Sequence, residues 1–395
     1  MHRDSAMAYW VIFGLLPCLE PIGKALKGSI LKEMKQLALV LVTATCMWGC
    51  STDLEINAPY KDATVVYGLL NMRDSIHFVK INKAFLGDGD ALNFAQIQDS
   101  NEWAPDRITT AKVYRVLNGT RIGEFDLRDT VLTDREPGVF YSPVQRIYYF
   151  QDDFRANILQ NGQPTTVYLD QNSEYELELE INGERITAIA SMVNDFSFQS
   201  TDQSLTAPVN LMNGSGDEYG EFELNWSSNR DGKRYVAEYR FNYKELRGTD
   251  TSEMRSITQR IGTAVSTDGT SVEEMSVIMR GEQFYTNLAD QIPGDASVDH
   301  RIFTGLDLII SVANNEFHTF LTLTEPVSGI IEDRPTFSNV ANGYGLFAGR
   351  YVKQINGKRL GAQSLRELAD GNITGSLRFC SNFAADENSP YTCPD

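Results

Sequence analysis

The stretch Glu174–Ile181, EYELELEI, constrains the fold more than any other part of the chain. Its four glutamates alternate strictly with Tyr175, Leu177, Leu179 and Ile181. A period of two puts successive side chains on opposite faces of an extended strand, whereas a helix would scatter the four acids around its axis. Asn182-Gly183 follows at once. That pair favours a type I′ hairpin turn, because both central residues need positive φ. Asn118-Gly119 and Asn356-Gly357 also lie between alternating runs, and Asn161-Gly162 has weaker flanks. A further hairpin is expected from Thr64 to Leu70 and Ile76 to Phe85, turning through Asn71-Met72-Arg73-Asp74. The expected class is all-β, with a few short helices.

Composition divides the chain further. A first β-sandwich domain is expected over 63–200, ending in the polar stretch from Ser197 to Pro208. A second is expected over 205–325, and residues 326–395 should pack on it as a hairpin, a short helix and a tail. Phe222, Leu224 and Trp226 share one strand face, followed by Tyr235, Ala237, Tyr239, Phe241 and Tyr243 on another. This pattern is similar to the B–C strand pair of fibronectin type III domains, which implies an immunoglobulin-like or fibronectin-like sandwich. Further strands are expected over 255–261, 275–280, 302–312 and 317–323, and a late hairpin over 344–355 and 358–361. Helical spacing marks 90–98, 282–292 (stopped by Pro293) and 364–369. Residues 129–149 read as a long excursion whose Phe140, Tyr141, Tyr148, Tyr149 and Phe150 serve core and edge packing.

Upstream, Met34 to Cys50 has the build of an export leader. Lys35 precedes an uncharged, largely apolar run from Leu37 to Trp48, too short to span a hydrocarbon core of about 30 Å. Met47-Trp48-Gly49-Cys50 resembles the bacterial lipobox, departing from Leu-Ala-Gly-Cys at two positions. The resemblance implies lipidation of Cys50, with 34–49 as signal peptide and 50–62 as a lipidated tether. The competing reading is an ordinary secretory leader with an incidental cysteine. Two or three acyl chains anchor stably where one does not. Residues 1–33 read as an over-extended start. The acids in Ser51-Thr52-Asp53-Leu54-Glu55 resemble the surface-export tag of Bacteroidota lipoproteins, or serve as a solvated tether.

Cys18 and Cys46 would leave with the leader, so Cys380 and Cys393 remain to pair as a disulfide. A two-thiolate metal site is the alternative, but it lacks nearby histidines. Removing five basic and three acidic residues with positions 1–49 leaves 30 Lys and Arg against 50 Asp and Glu. Such a surface repels nucleic acid and anionic headgroups.

The lipobox, the early strand Val65-Val66-Tyr67-Gly68-Leu69-Leu70, the Tyr175–Ile181 hairpin strand and Val340 to Phe347 together resemble uncharacterised Bacteroidota outer-membrane lipoproteins with a β-rich extracellular region. The resemblance implies an outer-membrane, surface-exposed location (the periplasmic face being the alternative) and an outer-membrane protein as partner, with accessory service to an uptake system implied by association alone. It transfers no activity and no catalytic residue.

Chemistry-bearing patterns are sparse. His77, His300 and His318 have neither His-x-x-x-His nor Glu-x-x-His company. Gly214-Ser215-Gly216 reads as a turn, and no Walker loop occurs. Glu174, Glu176, Glu178 and Glu180 read as a solvated sheet face, and Asp88-Gly89-Asp90 as a helix entry, rather than calcium loops. The expected function is a non-enzymatic binding or assembly module without metal or cofactor. The alternatives are a surface hydrolase of glycan or peptide using loop carboxylates, and an adhesin or structural subunit.

Overall fold

Alternation becomes pairing where an Asn-Gly turn closes it. The computed structural model describes residues 62–84, 91–160, 163–199, 206–267, 272–325 and 336–394. The leader, Cys50, the tether through Lys61, Asp88-Gly89-Asp90 and Asn161-Gly162 lie outside the described residues. Strands β1 (Ala63–Leu70) and β2 (His77–Ala84) form the first hairpin. Next come β3 (Ile108–Leu117), β4 (Thr120–Asp126), β5 (Arg128–Leu132) and β6 (Gln145–Phe150). They are followed by β7 (Ala156–Gln160), β8 (Gln163–Val167), β9 (Glu174–Ile181) and β10 (Glu184–Ser191). Asn118 and Gly119 have φ of 50° and 76°, and Asn182 and Gly183 have 54° and 79°, as type I′ turns require.

Beyond residue 206 the strands are β11 (Glu221–Ser227), β12 (Arg234–Arg247), β13 (Asp250–Thr251), β14 (Arg255–Val265) and β15 (Glu274–Arg280). The last are β16 (His300–Ala313), β17 (Val340–Ala341), β18 (Tyr344–Lys358) and β19 (Phe379–Ser381). Helices span Gly281–Gln291 and Ala362–Asp370, close to the expected positions, and Ala91–Ala95. The molecule is β-rich with few helices.

Three expectations change. First, the boundary at 200–205 does not separate two sandwiches. One ten-stranded sheet runs β13-β12-β16-β18-β1-β2-β6-β5, with β14 and β19 attached, so strands from both sides of that boundary share hydrogen bonds. Tyr60–Asp395 forms one unit with a continuous core cluster. The 326–395 segment is likewise no appendage, because β18 sits mid-sheet between β16 and β1. Second, Asn356-Gly357 makes no hairpin. Only Gly357 has positive φ, at 70°, and the pair forms an irregularity within β18. A glycine in this conformation suits a bulge, whereas the hairpin turn needs both residues there. Third, 317–323 is not a strand but part of a helix, Asn315–Thr324. Phe317, Phe320 and Leu321 follow helical spacing, and the Asn314 side chain accepts from the Phe317 N–H as an N-cap.

The five-stranded sheet β17-β10-β9-β3-β4 and the ten-stranded sheet both supply residues to the core cluster, as do β11, β15 and the 281–291 helix. Tyr175 meets Phe150 with ring centroids 6.4 Å apart. Strands β11 and β12 belong to different sheets, and Trp226 and Tyr235 meet with centroids 5.7 Å apart. The tail is pinned by β19 pairing with β16, and Cys380 and Cys393 are joined with S–S 2.01 Å.

His77 is 2% exposed, its ring 5.0 Å from that of Phe150, and neither nitrogen has a hydrogen-bond partner among the described residues. Burial, aided by repulsion from Arg155, pushes its pKa down from 6.5 to about 4. The unfolded histidine therefore takes up its proton first as pH falls. Its contribution to stability, present above pH 6.5, should decline as pH drops toward 4, by about 3 kcal/mol. Denaturant titrations at pH 7 and 4.5 should show a smaller acid loss for His77→Phe than for the wild type. Equal losses would assign the acid sensitivity to other groups.

Candidate functional site

The inner face of the ten-stranded sheet is core, but part of its outer face is an aromatic surface. In β1, Val66, Gly68 and Leu70 turn inward, leaving Val65, Tyr67 and Leu69 outward. In β2, Val79 and Ile81 turn inward, with Phe78 and Lys80 outward. In β6, Tyr148 and Phe150 are buried, with Ile147 and Tyr149 on the other face. Tyr67 pairs across strands with Lys80, and Phe78 with Tyr149. Cross-strand partners project from the same face, so these side chains form neighbouring rows.

The 315–324 helix supplies a wall. It contacts β18 and β16 and has no fully buried residue. Phe320 meets Tyr67 edge-on with centroids 6.2 Å apart, and Phe78 lies 6.4 Å from Tyr149. Between helix and sheet lies a trough of about 410 Å³, within the range of small-ligand sites. Its apolar lining includes Tyr67, Leu69, Phe78, Ile147, Phe317 and Phe320. Tyr67 and Phe78 remain 44% and 48% exposed.

Three charged groups also line the trough: Asp74, Lys80 and Arg350. The Arg350 guanidinium lies 3.6 Å from the Asp74 carboxylate, and both side chains are 42% exposed. That exceeds the 2.7–2.9 Å of a tight charge-assisted hydrogen bond. The Arg350 Nε is buried and has no hydrogen-bond partner among the described residues. Lys80 is held below its ordinary pKa by burial and by Arg135, while Glu102 acts the other way. No carboxylate lies within ion-pair distance of Lys80 among the described residues.

The residues singled out from sequence fall elsewhere. The Glu174–Glu180 face is crossed by Arg121, which pairs with Glu176 and Glu178 at 2.7 Å each, and by Arg185, 2.6 Å from Glu178. These pairs make it a surface ion network. His300 and His318 are partly exposed. Among the described residues no three His, Cys, Asp or Glu side chains are grouped to hold a metal. The excursion after Asp129 is shorter than expected, because β5 pairs with β6. Tyr148 and Phe150 enter the core, but Phe140 is 51% exposed, with Arg135 over its ring. A polar cleft of about 500 Å³ includes Gln199, Glu223, Asn225 and Glu274.

Sequence reasoning missed the trough. A signal was present: Val65 to Leu70 is apolar at every position but Tyr67 and Gly68, which suits a strand covered on both faces more than an alternating one. The cover is the 315–324 helix, whose sequence also satisfies a strand pattern.

Because its wall is only half buried, Phe320→Ala should lower stability by about 1 kcal/mol, against roughly 3–5 for a fully buried phenylalanine. Chemical denaturation measures this. A loss of the larger size would make the helix part of the core rather than a separable wall.

No family model matches this sequence, and no curated protein matches it. Among solved structures, the C-terminal globular domain of oligosaccharyltransferase from Pyrococcus abyssi aligns over 64% of this chain at 13% identity, with TM-score 0.23. The alignment spans 46% of that chain, less than half its length. A likeness at this score carries no argument about function.

Proposed function

We propose that this chain is a non-enzymatic, lipid-anchored binding module displayed at the outer membrane, of the kind its resemblance to Bacteroidota lipoproteins implies. The observation that carries the binding role is the aromatic trough, where half-exposed rings of two strands and a helix converge beside charged groups. Open apolar walls with a few polar groups favour holding a ligand. The anchoring rests on the lipobox-like Met47-Trp48-Gly49-Cys50, and the outer-membrane partner on the same resemblance. A fibronectin-like arrangement of β11 and β12 belongs to this reading, supported by the Trp226–Tyr235 contact. The second reading is a surface hydrolase, favoured by the presence of Glu223 and Glu274 in one polar cleft.

Mass spectrometry of membrane fractions should find an N-terminal peptide beginning at acylated Cys50. An unmodified terminus upstream of Met34 would overturn the anchoring. For binding, the purified protein should be tested on an array of glycans, peptides and amphiphiles, alongside Tyr67→Ser/Phe78→Ser. Retention lost in the double variant, without turnover, is the expected result. Retention unchanged by the substitutions would move the binding surface elsewhere, and released product would replace binding with hydrolysis.

A further inference from the structure

We infer that the occupant of the trough is a free single-chain anionic amphiphile: its apolar body lies along Tyr67, Phe78 and Phe320, and its carboxylate meets Lys80 or Arg350. This rests on the reading of the trough as the ligand site and names the chemistry it takes.

The first argument is charge. The chain carries a formal net charge of −18, yet the trough holds two cations and one acid. A locally positive site on an acidic protein selects an anion, because its own surface repels anions elsewhere. Each cation also has unused capacity. Arg350 is only loosely engaged by Asp74, and Lys80 has no carboxylate at ion-pair distance among the described residues. A half-buried cation gains from a partner that enters the same low-dielectric site.

The second argument is the character of the walls. The apolar lining comes from side chains above the sheet. Strand β1 pairs with β18 and β2, and β2 pairs with β1 and β6. Over residues 65–68 strand β1 is therefore engaged on both sides, which leaves no open edge for an added peptide strand there. Side-chain rings without backbone donors suit a featureless hydrocarbon better than a polar polymer.

Calorimetry or competition fluorescence on the purified full chain should compare dodecanoate with dodecanol and dodecyltrimethylammonium, all below micelle formation. Dodecanoate is expected to bind about tenfold tighter than dodecanol. Within the carboxylate series, affinity should rise by up to about fourfold per methylene added. Lys80→Met with Arg350→Met should reduce dodecanoate to the affinity of dodecanol, while Phe78→Ser weakens every member. Circular dichroism and denaturation would verify that the variants fold. Equal affinities for dodecanoate and dodecanol, or indifference to the two cation substitutions, would overturn the inference. So would binding to phosphatidylglycerol vesicles without binding of free dodecanoate, which would point to a membrane surface instead. If no amphiphile binds but a glycan or peptide is held through Tyr67 and Phe78, this inference falls and the trough remains a ligand site. If nothing depends on those rings, both fall.

Discussion

The structure depends on where β18 lies. It pairs parallel with β1 and antiparallel with β16, joining strands nearly 280 residues apart into one sheet. The parallel pair is close: a Cβ on Gly345, whose φ is 114°, would come within 2.0 Å of the Val66 carbonyl oxygen. Only glycine meets both demands, the positive φ and the approach. The inner face of β18 then fixes the segment that crosses between the halves. Lys353, 3% exposed, lies 2.8 Å from Asp195 and also donates to the Phe196 carbonyl. Lys358 donates to the Ala207 carbonyl at 2.7 Å, and the Tyr351 hydroxyl donates to Asp195 at 2.8 Å. An ammonium buried this deeply is tolerable because a carboxylate and a carbonyl receive its protons, and removing its partner typically costs about 3–5 kcal/mol. One strand thus sets sheet order and the path of the crossing segment.

A second charged knot holds the far end. Glu245, 2% exposed, accepts ion pairs from Arg247 at 2.9 Å, Arg255 at 3.2 Å and Arg301 at 3.4 Å. Arg301 donates onward to the carbonyls of Leu377 and Pro293. Those carbonyls lie just before β19 and just after the 281–291 helix, so a buried carboxylate helps dock the tail that the disulfide closes. The two charged knots do work on the inner face of the sheet that its rings do not, because hydrogen bonds select one register where apolar contact alone tolerates several.

The sequence was most legible where the interactions are local. Glu174 to Ile181 and its Asn-Gly turn determine a strand, its faces and its hairpin within ten residues, and the structure follows. The 281–291 helix was legible for the same reason, with Phe284 and Leu288 at helical spacing and a proline stop. The pairing of β1 with β18 was not, because period two tells which side of a strand is buried and nothing about its neighbour. Residues 317–323 misled through shortness. Alternation and helical spacing overlap in FHTFLTL, and the deciding residue is Asn314, an N-cap outside the run. The trough was hidden behind both errors, since it needs β1 beside β18 and a helix laid over that pair. Asn356-Gly357 misled differently, because its flanks lie beside β16 as one continuous strand, leaving no room for a reversal.

The position of the helix explains why the outer face carries an apolar site at all. A sheet this wide needs cover, and the 315–324 helix lies mainly over β16 and β18, touching β1 where Phe320 meets Tyr67. The neighbouring strands β1, β2 and β6 keep Tyr67, Phe78 and Tyr149 outward beside the end of that cover, where a fully polar face would dissolve the edge contact with Phe320. Leaving half-exposed rings there costs solubility and invites association, and the charges at Asp74, Lys80 and Arg350 interrupt the patch. Yet charge alone would be met more cheaply by exposed lysines. Lys80 sits half-buried opposite Tyr67, and among the described residues the Arg350 Nε has no hydrogen-bond partner, so both cations bear a desolvation cost that exposed side chains would not. Departures of this kind from local consistency are expected at functional or strained sites.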